Sequence, residues 1–269
     1  MVCYVYYNLT MNQASSLQIC IFPCLKDNYG FLLHDGESNT TAVVDTPDAS
    51  AIEKVLAENG WALTYILNTH HHWDHTGGNL ELKEKTGCKI FGPRAEATNI
   101  PGIDSELSEG DIFKLGNISA KIYETPGHTS GHIVYHFEND SAAFVGDTLF
   151  AMGCGRLFEG TPKQMWDSLQ KIMKWPDKTR IYCAHEYTQD NARFALTIEP
   201  ENQDLITRAK YVEKIRAEGK ATIPTNLAIE KKTNPFLRPN SSDIRNHIKM
   251  QTSTDLEVFT KIRNLKNVF

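Results

Sequence analysis

The chain has 269 residues, 41% of them hydrophobic and 23% charged, with a net charge of −5. That size and balance fit a globular protein with one large domain, or a main domain and a smaller partner. The acidic balance and the lack of a long basic run speak against nucleic acid as a partner. No stretch approaches the ~18 apolar residues that a membrane helix needs.

The N-terminus, MVCYVYYNLTMNQASS, has no Lys or Arg before Lys26 and only a short apolar run. It reads as a disordered leader over residues 1–16 rather than a signal peptide, with Met11 as an alternative start. Strand-length apolar runs follow: LQICIFPCL and YGFLLH, separated by KDN, and then TAVVD, which ends in Asp45. PDASAIEKVLAENG predicts a helix, capped by Asp48 or Ser50, turning Ile52, Val55 and Leu56 inward and ending at Gly60. LTYILN is a buried strand that runs straight into NTHHHWDHTGGN. CKIFG, DIFKLG, ISAKIYET, GHIVYHF and AAFVGD are further strands, and TPKQMWDSLQKIMKW is a helix opened by Thr161 before Pro162. RIYCAH is one more strand. From about residue 186 the spacing turns helical, in NQDLITRAKYVEKIRAEG, SSDIRNHIKM and DLEVFTKIRNLKNVF. TIPTNLAIEKKTNPFLRPN reads as proline-punctuated loop between them. The six cysteines form no CxxC and read as the reduced thiols of a cytoplasmic protein.

The histidine run carries the chemistry. In extended backbone alternate side chains share a side, so His70, His72 and Asp74 fall together, with His71 and Trp73 opposite. A turn near Gly77 and Gly78 would bring His75 alongside. A helix would instead pair His71 with His75, as in HExxH metalloproteases, but that motif needs Glu where His72 stands. His71 is the histidine left over, expected to face away and to tolerate substitution. Further ligand types lie at strand ends or in glycine-rich turns: His128 in TPGHTSGH, Asp147 in FVGDTLF and His185 in IYCAHEYT. His132 and His136 follow a strand's alternation and read as structural. Imidazole and carboxylate donors suit zinc and its first-row neighbours. Seven ligands exceed one four-coordinate ion and suit two ions sharing a carboxylate. Such ions acidify bound water and polarise a carbonyl, which is hydrolytic chemistry.

THHHWDHTGGN, TPGHTSGH, GDTLF and AHEYT, in this order and spacing, resemble the metallo-β-lactamase superfamily and, within it, the glyoxalase II (hydroxyacylglutathione hydrolase) family. The resemblance runs from about Leu17 to the C-terminus. It implies an αββα sandwich over residues 17–185 and a helical, glutathione-binding domain over 186–269. It implies a partition of ligands: His70, His72 and His128 on one ion, Asp74, His75 and His185 on the other, and Asp147 bridging. Asp74 and Asp147, with a metal-held hydroxide, would be the catalytic set. The implied reaction is hydrolysis of S-D-lactoylglutathione to D-lactate and glutathione, the second step of methylglyoxal detoxification. The ligand set admits zinc first, with iron or manganese as alternatives, and the chain reads as a cytoplasmic monomer.

The anionic glutathione arm calls for local positive charge. Residues 241–269 carry five basic residues against three acidic ones, a balance of +2. The resemblance points to Arg263 and Lys266, at i,i+3 on one helix face, as carboxylate binders, and to Arg156 and Tyr187 as further contacts. Phe158 stands at another contact position, where the animal enzymes have Tyr, so one hydroxyl is missing; Arg156 replaces their Lys, and Ala184 replaces a glycine usual before the ligand histidine. A persulfide dioxygenase uses one iron and generally lacks the helical tail. A lactonase or β-lactamase would leave the RNLK tail unexplained. A non-catalytic metal-binding module would be expected to have lost a ligand.

Overall fold

The computed structural model describes residues 4–6 and 17–269. The chain divides into two compact units: residues up to Glu124 with Gly131–Gly146, and Thr125–Ser130 with Asp147–Phe269.

The first unit opens with β1 (Tyr4–Tyr6), β2 (Leu17–Cys24), β3 (Asn28–Asp35) and β4 (Thr40–Val44), each antiparallel to the one before. Tyr4–Tyr6 are thus a strand along β2 rather than part of a disordered leader: an aromatic and β-branched triplet suits an extended edge. The rest of that expectation, Met11 included, lies outside the described residues. Helix α1 (Ala49–Asn59) starts where Asp48 accepts from the Ala51 amide at 3.2 Å, so Asp48 and not Ser50 is the cap, and it stops at Gly60 in left-handed conformation. β5 (Leu63–Leu67) then pairs parallel to β4. After α2 (Trp73–Thr76) and α3 (Asn79–Thr86) come β6 (Lys89–Pro93) and β7 (Ser105–Leu107), which complete a seven-stranded sheet in chain order. Ile52, Val55 and Leu56 of α1 pack with Leu82 of α3 over Leu32, Val43 and Ile66 of that sheet.

A second array, β8 (Ile112–Leu115), β9 (Ile118–Glu124), β10 (Ile133–Phe137) and β11 (Ala142–Gly146), is antiparallel throughout. Phe113 makes edge contacts with Tyr65, Phe91 and Tyr135, and Phe31 meets Phe144, so the inner faces of the two sheets lock through aromatic rings.

The second unit begins with a short hairpin, β12 (Leu149–Phe150) and β13 (Gly153–Cys154). Helix α4 (Pro162–Met173) has the expected Thr161 cap, closed into a capping box by Gln164. β14 (Arg180–Cys183) leads to α5 (Thr188–Ile198) and α6 (Gln203–Ala217). The stretch read as proline-punctuated loop is more ordered than expected. It forms β15 (Thr225–Asn226), paired with β14, and α7 (Leu227–Thr233), because Asn226 caps the Ile229 amide. α8 (Ser242–His247) and α9 (Asp255–Val268) end the chain. Trp166, Phe259, Phe236 and Phe194 form a line of ring contacts through this unit.

Cys24, Cys88, Cys154 and Cys183 are free thiols, as expected. Cys20 departs from that reading: it is disulfide-bonded. Among the described residues no helix is long and apolar enough to cross a membrane.

Candidate functional site

In the first unit β5 ends at Leu67, the backbone bends at Thr69 and His70, and the single turn of α2 starts at Trp73. The alternation expected across residues 70–74 therefore stops at His72. His70 and His72 do converge, with His70 Nε2 3.1 Å from His72 Nδ1. Asp74 and His75 arrive by a helical turn instead, in which the His75 amide donates to the His72 carbonyl at 2.9 Å. That turn sets His75 Nε2 3.5 Å from Asp74 Oδ2 and sends Trp73 to solvent, 70% exposed. The turn is pinned from below. The His75 carbonyl accepts from Asn68 Nδ2 at 2.9 Å and from the Thr46 amide at 2.8 Å.

Asp45, at the end of β4, fixes which imidazole nitrogens are available. It accepts from His75 Nδ1 at 2.8 Å, which leaves His75 Nε2 with the lone pair. It also accepts from the Thr69 amide and the Thr69 hydroxyl, both at 2.8 Å. Since the hydroxyl proton goes to Asp45, Thr69 Oγ1 must accept from His70 Nδ1, 3.0 Å away, which puts the lone pair on His70 Nε2. Asn28 donates to Asp74 Oδ2 at 3.1 Å and to its carbonyl at 3.2 Å. His71 does not simply face away: its ring meets that of His72 at 5.0 Å, and it is engaged on Glu96 as well. Its amide and its Nδ1 both donate to Glu96 Oε2 at 2.8 Å, while the other oxygen of this buried carboxylate takes the Gly131 amide at 2.8 Å. His132 is fully buried and stacks on His70 at 4.9 Å; His136 is buried within β10.

In the second unit Asp147 faces two imidazoles. Its Oδ2 lies 3.3 Å from His128 Nε2, and its Oδ1 lies 3.5 Å from His185 Nε2. His128 Nδ1 donates to the Arg156 carbonyl at 2.8 Å, which puts the lone pair on Nε2. Phe158, 60% exposed, sets its ring against His128 at 5.2 Å, with the Arg156 guanidinium 5.5 Å from the ring centre. Tyr187 stacks on His185, 4.7 Å between centroids and within 2° of parallel. The two tail residues differ sharply. Lys266 is half-buried, reaches the Asp190 carbonyl at 3.3 Å and lies over the Phe194 and Phe269 rings. Burial first, and then the Arg263 charge, pull its pKa down, against Asp190. Arg263 is buried and donates to the Cys154 carbonyl at 2.8 Å.

The spacings of 3.1–3.5 Å between these side-chain atoms are close to those of neighbouring ligands on one ion. Metal bonds of about 2.0–2.2 Å give edges of about 3.3–3.6 Å. The donor types and their fixed tautomers therefore fit a divalent ion. Three residues that support the histidine run were missed from sequence. Asp45, Asn28 and Glu96 look like ordinary turn, strand and loop residues; only the position of Asp45 at a strand end was a signal.

Residues 31–185 match the family model of the metallo-beta-lactamase superfamily, and residues 186–269 match that of the hydroxyacylglutathione hydrolase C-terminus. The chain belongs to the hydroxyacylglutathione hydrolase family. It is 54% identical to a hydroxyacylglutathione hydrolase of Maricaulis maris, over 95% of this chain and 100% of the relative. It is 52% identical to one of Methylococcus capsulatus, over 94% of this chain and 99% of the relative. In fold it is similar to ETHE1 from Myxococcus xanthus (TM-score 0.62, 23% identity, 99% of this chain and 92% of that one). A metallo-beta-lactamase from Staphylococcus aureus is similar too (TM-score 0.64, 22% identity, 94% and 72%). The metallo-β-lactamase fold with a C-terminal helical region expected from the sequence is thus present. As a member of this family the chain is a hydrolase, and it carries His and Asp clusters suited to a divalent metal.

Proposed function

We propose that this chain hydrolyses the thioester of S-D-lactoylglutathione, releasing D-lactate and glutathione. The observation that carries this reading is the match at about half identity, over nearly the whole chain, to proteins named hydroxyacylglutathione hydrolase.

On this reading the seven ligands hold two ions, zinc foremost. His70, His72 and His128 serve one, Asp74, His75 and His185 serve the other, and Asp147 serves both. The fixed Nε2 lone pairs of His70, His75 and His128 support the assignment. Bound divalent ions would supply an acidified water and a Lewis acid for the thioester carbonyl. The chain's own residues then have three tasks. Asp74 and Asp147 present carboxylate oxygens at the reacting centre. Phe158 and Tyr187, exposed beside the ligands His128 and His185, give the thioester an apolar seat. Arg263 and Lys266 offer cations to the carboxylates of the glutathione arm, with Arg156 as a further contact. No residue need protonate the leaving group, because a thiolate departs readily from a thiol of pKa ~8.5.

The reading divides the chain into a catalytic domain, 17–185, and a glutathione-binding domain, 186–269, the point where the two family models meet. It places the protein in the cytoplasm as a monomer. The test is metal content and thiol release from S-lactoylglutathione, measured on one sample. Metal-loaded protein should release thiol; loaded protein that releases none above background overturns the assignment.

A further inference from the structure

The histidine run NTHHHWDHTGGN opens on Asn68 and closes on Asn79, and neither is among the seven proposed ligands. Both side chains are fully buried. Their amides face each other across the base of the loop. Asn79 Nδ2 donates to Asn68 Oδ1 at 2.8 Å, and Asn68 Nδ2 donates back to Asn79 Oδ1 at 3.3 Å. The remaining amide hydrogens go to backbone: that of Asn68 to the His75 carbonyl at 2.9 Å, and that of Asn79 to the Pro101 carbonyl at 3.1 Å. Every N–H of the two amides is thus placed, which fixes how each side chain is turned.

Thr46, fully buried next to Asp45, is the third member. Its hydroxyl donates to Asn79 Oδ1 at 2.6 Å and so orients the Asn79 amide. Its backbone grips the turn at both ends: its amide donates to the His75 carbonyl at 2.8 Å, and its carbonyl accepts from the Gly78 amide at 2.8 Å. A Cβ on Gly78 would come within 3.0 Å of that carbonyl oxygen, so this close approach favours glycine. Asn68 is anchored in its turn. Its amide donates to the Phe91 carbonyl of β6 at 2.8 Å, and its carbonyl accepts from the Tyr135 hydroxyl of β10 at 2.9 Å. The network therefore ties the His75 carbonyl to β6 and β10. That carbonyl belongs to the α2 turn, which carries Asp74 and His75. A buried polar network with its members paired is rigid, and removal of one leaves the others costly to bury.

We infer that Asn79, with Asn68 and Thr46, is a positioning residue for the proposed metal ligands Asp74 and His75. The three act on the backbone of the turn, whereas Asn28 and Asp45 hold the ligand side chains themselves. The inference rests on the proposed metal site but not on the identity of the substrate.

The test uses three variants, each checked for folding by circular dichroism. Asn79→Leu keeps the outline of the side chain and removes its amide. Thr46→Val removes the hydroxyl alone, and Thr46→Ser keeps it. Zinc alone is titrated into metal-free protein against a competing chelator, and thermal stability is read on the same metal-free samples. Loss of groups that orient ligands typically weakens metal binding by about 10–100-fold. We expect a loss in that range for Asn79→Leu, a loss of about threefold or more for Thr46→Val, and affinity within about twofold of wild type for Thr46→Ser. A merely structural role lowers thermal stability and leaves the zinc affinity of the folded variant unchanged. Folded Asn79→Leu with wild-type zinc affinity overturns the inference. Should that variant not fold, wild-type zinc affinity in folded Thr46→Val overturns it. If the wild-type protein binds zinc and releases no thiol from S-lactoylglutathione, the proposed function fails while the zinc comparison still decides this inference.

Discussion

Asp45 Oδ2 lies 2.8 Å from His75 Nδ1, and the same carboxylate reaches His70 through Thr69. One buried acid thereby sets the tautomer of two histidines in the first unit. Asp45→Asn is a clean probe, because Asn tolerates the left-handed backbone found at φ 57°. The amide loses the charge and at least one of the accepted bonds. Zinc affinity should drop about 10–100-fold with the fold retained, as read by chelator competition. Unchanged affinity would show that the tautomers are set elsewhere.

His71 and Glu96 give a second contrast. His71→Ala removes one bond to the carboxylate and leaves the backbone amide of residue 71 paired with it. Metal content should survive, unlike in His72→Ala, and stability should fall by about 1 kcal/mol. Glu96→Ala deprives the amides of both His71 and Gly131 of their acceptor. Each such buried donor costs about 1–3 kcal/mol, so denaturant unfolding should show a clearly larger loss than in His71→Ala. Equal losses would rule out Glu96 as the tie between these two segments.

The His and Asp clusters were legible because the sequence concentrates them: five such residues within six positions, and three more at strand ends or glycine turns. The strand-rich body was legible from β-branched runs, and α1, α4, α6 and α9 from their caps and spacing. The groups behind the ligands were not legible. Asn28 meets Asp74 across 46 positions, and Glu96 meets His71 across 25. No local pattern marks such pairs, since only the folded sheets bring them together. The contact of Arg263 with the Cys154 carbonyl was not legible either, since a bond to a backbone carbonyl leaves no sequence signature. The helical turn at Trp73 was missed because the alternating period ends there, while the glycines that seemed to mark the turn lie four residues on.

His136 makes stability depend on acidity. Burial lowers its pKa to about 4 from an ordinary 6.5, against the pull of Glu138 and with some help from Lys121. The unfolded chain therefore binds the extra proton between pH ~6.5 and ~4, and the folded chain does not. The contribution is whole above pH 6.5 and is lost as pH falls toward 4. At pH 5 the loss is on the order of 1–2 kcal/mol. His136→Phe should therefore show a smaller fall in Tm between pH 7 and pH 5 than wild type. Parallel falls would mean that other groups carry the acid sensitivity.

Lys266 separates binding from chemistry. It sits one turn beyond Arg263, its charge over the Phe194 and Phe269 rings and its Nζ 3.3 Å from the Asp190 carbonyl. Those contacts are weak holds on a cation, and burial already lowers its pKa. An arriving carboxylate would offer a stronger partner. Nothing in this geometry touches His128, Asp147 or His185. A contact remote from the reacting carbonyl serves ground state and transition state alike, so its loss appears in KM. Lys266→Ala should raise KM for S-lactoylglutathione by about 5–20-fold, from the ~1–2 kcal/mol of one charged contact, with kcat within about twofold and metal content unchanged. Lys266→Arg should recover most of the loss. Steady-state kinetics on both variants decides the point: an unchanged KM in Lys266→Ala removes this residue from the glutathione site.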